Sequence, residues 1–145
     1  MANTKGASQY LSQKLLDHFT GVASYTAPTT VYLALFSVTP SEVGGGTEGT
    51  GASLARKSIT AGGTNWNTAT AASPSLSDNK TIIQFAAASA TLSGGANQVA
   101  WGLFDDPSAG NLLFFGQLTT PKPVMVGDSP NVPIGDLDLI IGSTA

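Results

Sequence analysis

Apolar residues in this chain cluster in short extended runs rather than along helical stripes, and two of the runs are apolar on both faces. The strongest is residues 99–118, VAWGLFDDPSAGNLLFFGQL. Side chains alternate across a strand with period two. Val99, Trp101 and Leu103 therefore fall on one face and Ala100, Gly102 and Phe104 on the other, and the second arm, 112–118, is equally apolar. Between the arms, DDPSAGN is turn chemistry: Pro107 holds φ, Gly110 accepts positive φ, and Asp105, Asp106 and Asn111 can bond nearby backbone amides. The pattern predicts a β-hairpin covered on both sides, at the centre of a sandwich or barrel. Residues 29–36 (TTVYLALF), rich in β-branched and aromatic side chains, predict a second strand of the same kind.

Convincing helical periodicity occurs once. In residues 8–19, Leu11, Leu15 and Phe19 recur at i, i+4 and i+8 with Leu16 beside them, Ser8 stands as N-cap and Gly21 as stop. The stripe is narrow and suits a helix lying outside a sheet or against a neighbouring subunit. Residues 1–24 are expected to form an N-terminal arm and helix of a single domain spanning 1–145, with 1–7 frayed in isolation and ordered in an assembly.

Residues 37–51 (SVTPSEVGGGTEGTG) predict a long loop, read either as a contact loop or as a mobile one without a partner. Further strands are expected at 52–60, 81–85, 89–92, 124–126 and 137–141, with 67–78 irregular or at an edge. Pro121 and Pro123 should interrupt ladder bonding after the hairpin. The sum is about eight short strands and one N-terminal α-helix: an all-β fold, an antiparallel β-sandwich of jelly-roll-like form.

Composition narrows the function classes. At 145 residues the chain can bury roughly 70% of its unfolded surface. Only 10% of residues are charged, a weakly charged surface compatible with life packed against other chains. The net charge of −3 with six scattered basic residues argues against nucleic acid as a partner. No apolar run is long enough to span a bilayer, and MANTKGASQY lacks a signal-peptide core, so a cytoplasmic protein, or one released by lysis, is expected. There is no cysteine, which removes disulfides, thiolate metal sites and a Cys nucleophile.

Candidate chemistry is sparse. His18 is the only histidine; it has no Gly-x-Ser-x-Gly nucleophile elbow to serve, and its place near a helix C-terminus suits capping. The acidic residues of the last third, Asp105, Asp106, Asp128, Asp136 and Asp138, follow no calcium-loop spacing, and none stands out as a glycosidase acid or base. Gly44–Gly46 lack the Lys and Ser/Thr of a phosphate loop. Trp101 reads as core and Trp66, between two asparagines, as an exposed contact that could stack on a sugar. The expectation is no catalytic residue, no cofactor and no metal. The candidate interaction residues are Leu11, Leu15 and Phe19 on the helix, Glu42 and Glu48 in the long loop, and Trp66.

Several blocks resemble one family. LLDHFTG (15–21), YTAPTTVYLALFSVTP (25–40), GGTEGTGASLARKSIT (45–60) and VAWGLFDDPSAGNLLFFGQLTTPKPVMVGD (99–128) are similar, in the same order, to short bacteriophage proteins commonly labelled tail fibre proteins. The chain departs from their pattern at 50–54 and in its Ala-rich middle. The resemblance implies a non-enzymatic structural protein of a tailed-phage virion, as a tail fibre or tail-associated protein or as capsid cement, assembled in the cytoplasm of the bacterial host. Its implied partners are further copies of itself, with a trimer expected, and other capsid or tail proteins. A host-surface carbohydrate-binding module is the alternative.

Overall fold

A computed structural model describes residues 5–49 and 54–142. In chain order its elements are β1 (Lys5–Ala7), α1 (Gln9–Thr20), β2 (Thr30–Val38), β3 (Thr47–Glu48), β4 (Lys57–Thr60), β5 (Ser75–Ser77), β6 (Ile83–Gln84), β7 (Gln98–Phe104), β8 (Leu112–Lys122), β9 (Asn131–Val132) and β10 (Leu139–Ile141). A 3-10 turn, Leu92–Gly95, precedes β7.

The hairpin β7–β8 is the middle of a six-stranded antiparallel sheet in the order β1-β8-β7-β2-β3, and β4 also pairs with β2. β3 takes the Phe36–Val38 end of the outer edge of β2, and β4 takes the Thr30–Leu33 end. The pairings Leu33↔Leu103 and Leu35↔Trp101 bring four large side chains onto one face of the sheet. They anchor the main core with Ile59, Ile83, Phe85, Leu92, Val124 and Leu137. The opposing layer is two short ladders, β5–β10 and β6–β9, rather than a second broad sheet. On the sheet's other face Phe36 and Phe104 stack with centroids 6.1 Å apart. They close over Gly102, where a Cβ would stand 2.8 Å from the Phe36 ring. The fold is an all-β, sandwich-like one with antiparallel pairing and one helix, as the pattern of apolar runs predicts.

The helix forms where its capping residues dictate. Ser8 Oγ accepts the Leu11 N–H (3.1 Å), and Gly21 adopts φ 76, which lets the Val22 N–H reach Asp17 O (2.9 Å). Ser8 also ties the helix to the sheet: its N–H donates to Leu113 O (2.8 Å) and its hydroxyl to Leu112 O (2.5 Å). Of residues 1–7, expected to fray in isolation, 1–4 lie outside the described residues, and Lys5–Ala7 instead pairs with Phe114–Gly116 as an edge strand.

Several local expectations are corrected. Residues 89–92 form no strand, because Ser93, Gly94 and Gly95 all take positive φ and turn the chain after a single bond from Leu92 N–H to Val124 O (2.9 Å). Residues 124–126 form no strand either, closing instead into a turn in which the Asp128 N–H reaches Met125 O (3.0 Å). In 52–60 only Lys57–Thr60 is a strand, and 52–53 lie outside the described residues. Of the expected 37–51 loop, 50–51 lie outside the described residues, and the rest is no plain loop: Ser37 and Val38 extend β2, Thr47 and Glu48 pair back onto it, and Ser41 and Gly44 exchange backbone bonds at 2.9 Å. Gly46 at φ 76 makes that return possible.

Candidate functional site

α1 is built in two halves. Its first turn is held by Ser8 and by Leu11, which is buried. Leu15 is half-buried, while Leu16, Phe19 and Val22 just beyond are 65%, 88% and 77% exposed. The C-terminal half of the helix thus carries an apolar surface that no other described residue buries. It is held in position by His18, whose Nδ1 accepts the Tyr25 backbone N–H (3.1 Å). The imidazole therefore fastens the segment leaving the helix. The Tyr25 phenol is pushed above its ordinary value by burial, with Tyr10 and Asp105 adding to the effect, so it stays neutral.

The loop residues sit differently. Glu42 is exposed, and its carbonyl accepts the Gln9 N–H (2.7 Å) at the start of α1. Glu48 turns inward to Arg56, which holds it through Nε (2.8 Å) and Nη2 (2.7 Å). The same guanidinium lies 3.7 Å from the centroid of the Phe104 ring. Its Nη1 donates to the carbonyls of Asp106 (2.8 Å) and Ala109 (2.7 Å). Arg56 therefore locks β3, the hairpin turn and the stacked aromatics together. Trp66 is half-buried against the main core and bridges to Asn79.

Asn79 is a fully buried residue that the sequence did not single out. Its Nδ2 donates to Thr81 O (2.9 Å) and Pro133 O (2.8 Å), and its Oδ1 accepts the Leu137 N–H (2.9 Å). Only the long sequence separation of its partners, invisible in a local pattern, makes it a hub. The turn carboxylates are occupied by their own backbone: Asp106 accepts from Ser108 and Ala109, and Asp105 from Asn111. The backbone bonds from Ser108 and Ala109 hold the Asp106 carboxyl below its ordinary value. Among the described residues no three His, Asp or Glu side chains converge as a metal site would require.

The geometry offers an exposed apolar end of α1 beside a sandwich-like β core. The family described as podophage GP4 fiber I protein gp80 matches residues 6–140. The chain belongs to this phage fibre protein family. The match takes in every strand, the helix and the Arg56–Glu48 lock, apart from Lys5 and Ile141 at the outermost strand ends. No curated protein matches the chain. As a gp80-family member it is a structural component of a phage virion, and the family points to a non-enzymatic role.

Proposed function

We propose that this gp80-family chain works as a homo-oligomer, a trimer, in a fibre-type position on a tailed-phage particle, and that α1 supplies its assembly contact. The observation that carries the reading is the exposure of Leu16 and Phe19 on α1, and of Val22 just beyond it, while the other end of the helix is bolted to the sheet. Large apolar side chains that cluster at a surface mark interaction sites, because leaving them in water forgoes the free energy of burial. The scarcity of charge on the rest of the surface favours close packing beside other virion proteins.

The experiment is the oligomeric state of the purified chain by sedimentation, with and without Leu16→Glu and Phe19→Glu. The wild type should sediment as a trimer and the double variant as a folded monomer, since neither side chain supports the core. A wild type that stays monomeric at high concentration overturns the reading. Labelled particles then place the protein: a fibre decorates defined vertices or the tail, whereas cement would coat the head at high copy number.

A further inference from the structure

The molecule carries an apolar knob near one end of its central hairpin and a cleft at the other. The knob is the far half of α1. Leu16 and Phe19, both exposed, stand three residues apart and share one helix face. By the turn of the helix that face is bordered by Ser12, Gln13 and Thr20, while Lys14, Asp17 and His18 fall on the opposite side. α1 starts where Ser8 is bonded to Leu112 and Leu113, next to the 105–111 turn. The cleft, of about 670 Å³, lies between the far end of β8 and residues 129–138. β8 leaves register there: Ala100 pairs with Gln117 and Gln98 with Lys122, so two steps on β7 meet five on β8 and the surplus residues 118–121 bulge. Half-buried Leu118 and Val132 line the cleft beside exposed Pro133, over a floor of Phe85 and Trp101. Exposed Ile134 follows directly, and exposed Ile82 adjoins Ile83, the ladder partner of Val132.

We propose that the end of α1 carrying Leu16 and Phe19 in one copy seats in this cleft on the next copy, so that the chain assembles head to tail. This docking rests on the assembly role proposed for α1 and names the surface that receives it. A second copy is the occupant that fits. Every copy bears both surfaces, and α1 does not line the cleft, so a copy does not cover its own helix end there. The volume, within the range of pockets that enclose a small ligand, accommodates a phenyl and an isobutyl group side by side. Charge is matched as well. The docking face of α1 is uncharged, so no ionised group has to leave water. The cleft sets Lys122 against Asp136 and Asp138, and Asp138 is already paired with Lys5 (3.3 Å), so its lining holds no excess of either sign. Copies with a net charge of −3 each thus meet where neither surface adds to their repulsion. Because knob and cleft are different surfaces, the contact is heterologous and either closes into a ring or runs on as a string.

The chain has no cysteine, so an introduced pair reports the contact cleanly. Thr20 borders the knob, Thr119 and Asn131 line the cleft, and all three are exposed. The full chain carrying Thr20→Cys/Thr119→Cys, or Thr20→Cys/Asn131→Cys, is joined with a short bis-maleimide, run on a denaturing gel and mapped by peptide mass spectrometry on a mixture of isotope-labelled and unlabelled copies. Links between position 20 of one chain and position 119 or 131 of another are expected. A ladder that stops at three chains is a closed ring; one that runs on keeps the head-to-tail contact and overturns the trimer alone. Thr119→Trp, which fills the cleft from an exposed position, should keep the fold and weaken association about tenfold or more by sedimentation. Links only between positions 20 of two chains would mean that α1 packs against α1, and would overturn the docking. Oligomers that form with the cleft filled as readily as without would also overturn it, and leave the assembly role of α1 standing. A wild type that stays monomeric at high concentration overturns both.

Discussion

Arg56→Ala should destabilise the protein far more than an ordinary surface charge deletion. The guanidinium side chain is 7% exposed and that of Glu48 34%, so the pair lies between a solvent-screened ion pair, worth about 0–1 kcal/mol, and a buried one, whose breaking costs about 3–5 kcal/mol. The stacking on Phe104 adds roughly 0.5–2 kcal/mol. The two carbonyls it releases are half lost: Ala109 is exposed and can turn to water, while Asp106 is half-buried. Taken together the loss is roughly 2–4 kcal/mol, a fall in melting temperature of about 6–16 °C for a domain of this size. Arg56→Lys keeps the charge but cannot span carboxylate, carbonyls and ring at once, and should lose roughly half as much. Urea unfolding of both variants, with Glu48→Gln completing a double-mutant cycle, measures these values. A coupling near zero, or an Arg56→Ala variant within about 1 kcal/mol of the wild type, would refute the account of Arg56 as the lock.

Asn79→Ala should cost about 2–4 kcal/mol, because it leaves the Leu137 N–H buried without its acceptor; hydrogen exchange at that amide should speed up before global unfolding does. Gly116→Ala drives a methyl group into the Trp101 indole and should cost about 1–3 kcal/mol, read as lower thermal stability with altered tryptophan fluorescence. The Asp106 carboxyl titrates below its ordinary 3.8 in the folded chain, so its contribution to stability is complete above that value and is lost as the pH falls through the lower folded one. The 105–111 turn should therefore loosen in strong acid, and an Asp106 carboxyl found by NMR to titrate at or above 3.8 would contradict this.

The elements that were legible in the sequence are those written by neighbouring residues. Ser8 and Gly21 bracket the helix because caps act over one turn, and β2, β7 and β8 announce themselves by apolar alternation and a turn whose Asp and Gly residues satisfy each other locally. The reading failed where a segment's state depends on a distant strand. Residues 37–49 have loop composition yet fold back onto β2, since the bonds that order Thr47 and Glu48 come from Phe36 and Val38. Trp66 looked exposed between two asparagines and is half-buried, because Asn79 and the core reach it from elsewhere in the chain. Glu48 and Arg56 are eight residues apart, and nothing in their spacing tells that Phe104 and the hairpin turn meet between them.

By itself the sequence determined an all-β chain built round one hairpin, capped by one helix and resembling phage fibre proteins, because turns, caps and alternation are properties of adjacent residues. Only the tertiary structure decided which half of α1 is left in water and that Arg56 is a lock. Each of these depends on register and on layer spacing, and those are set by strands that lie far apart along the chain.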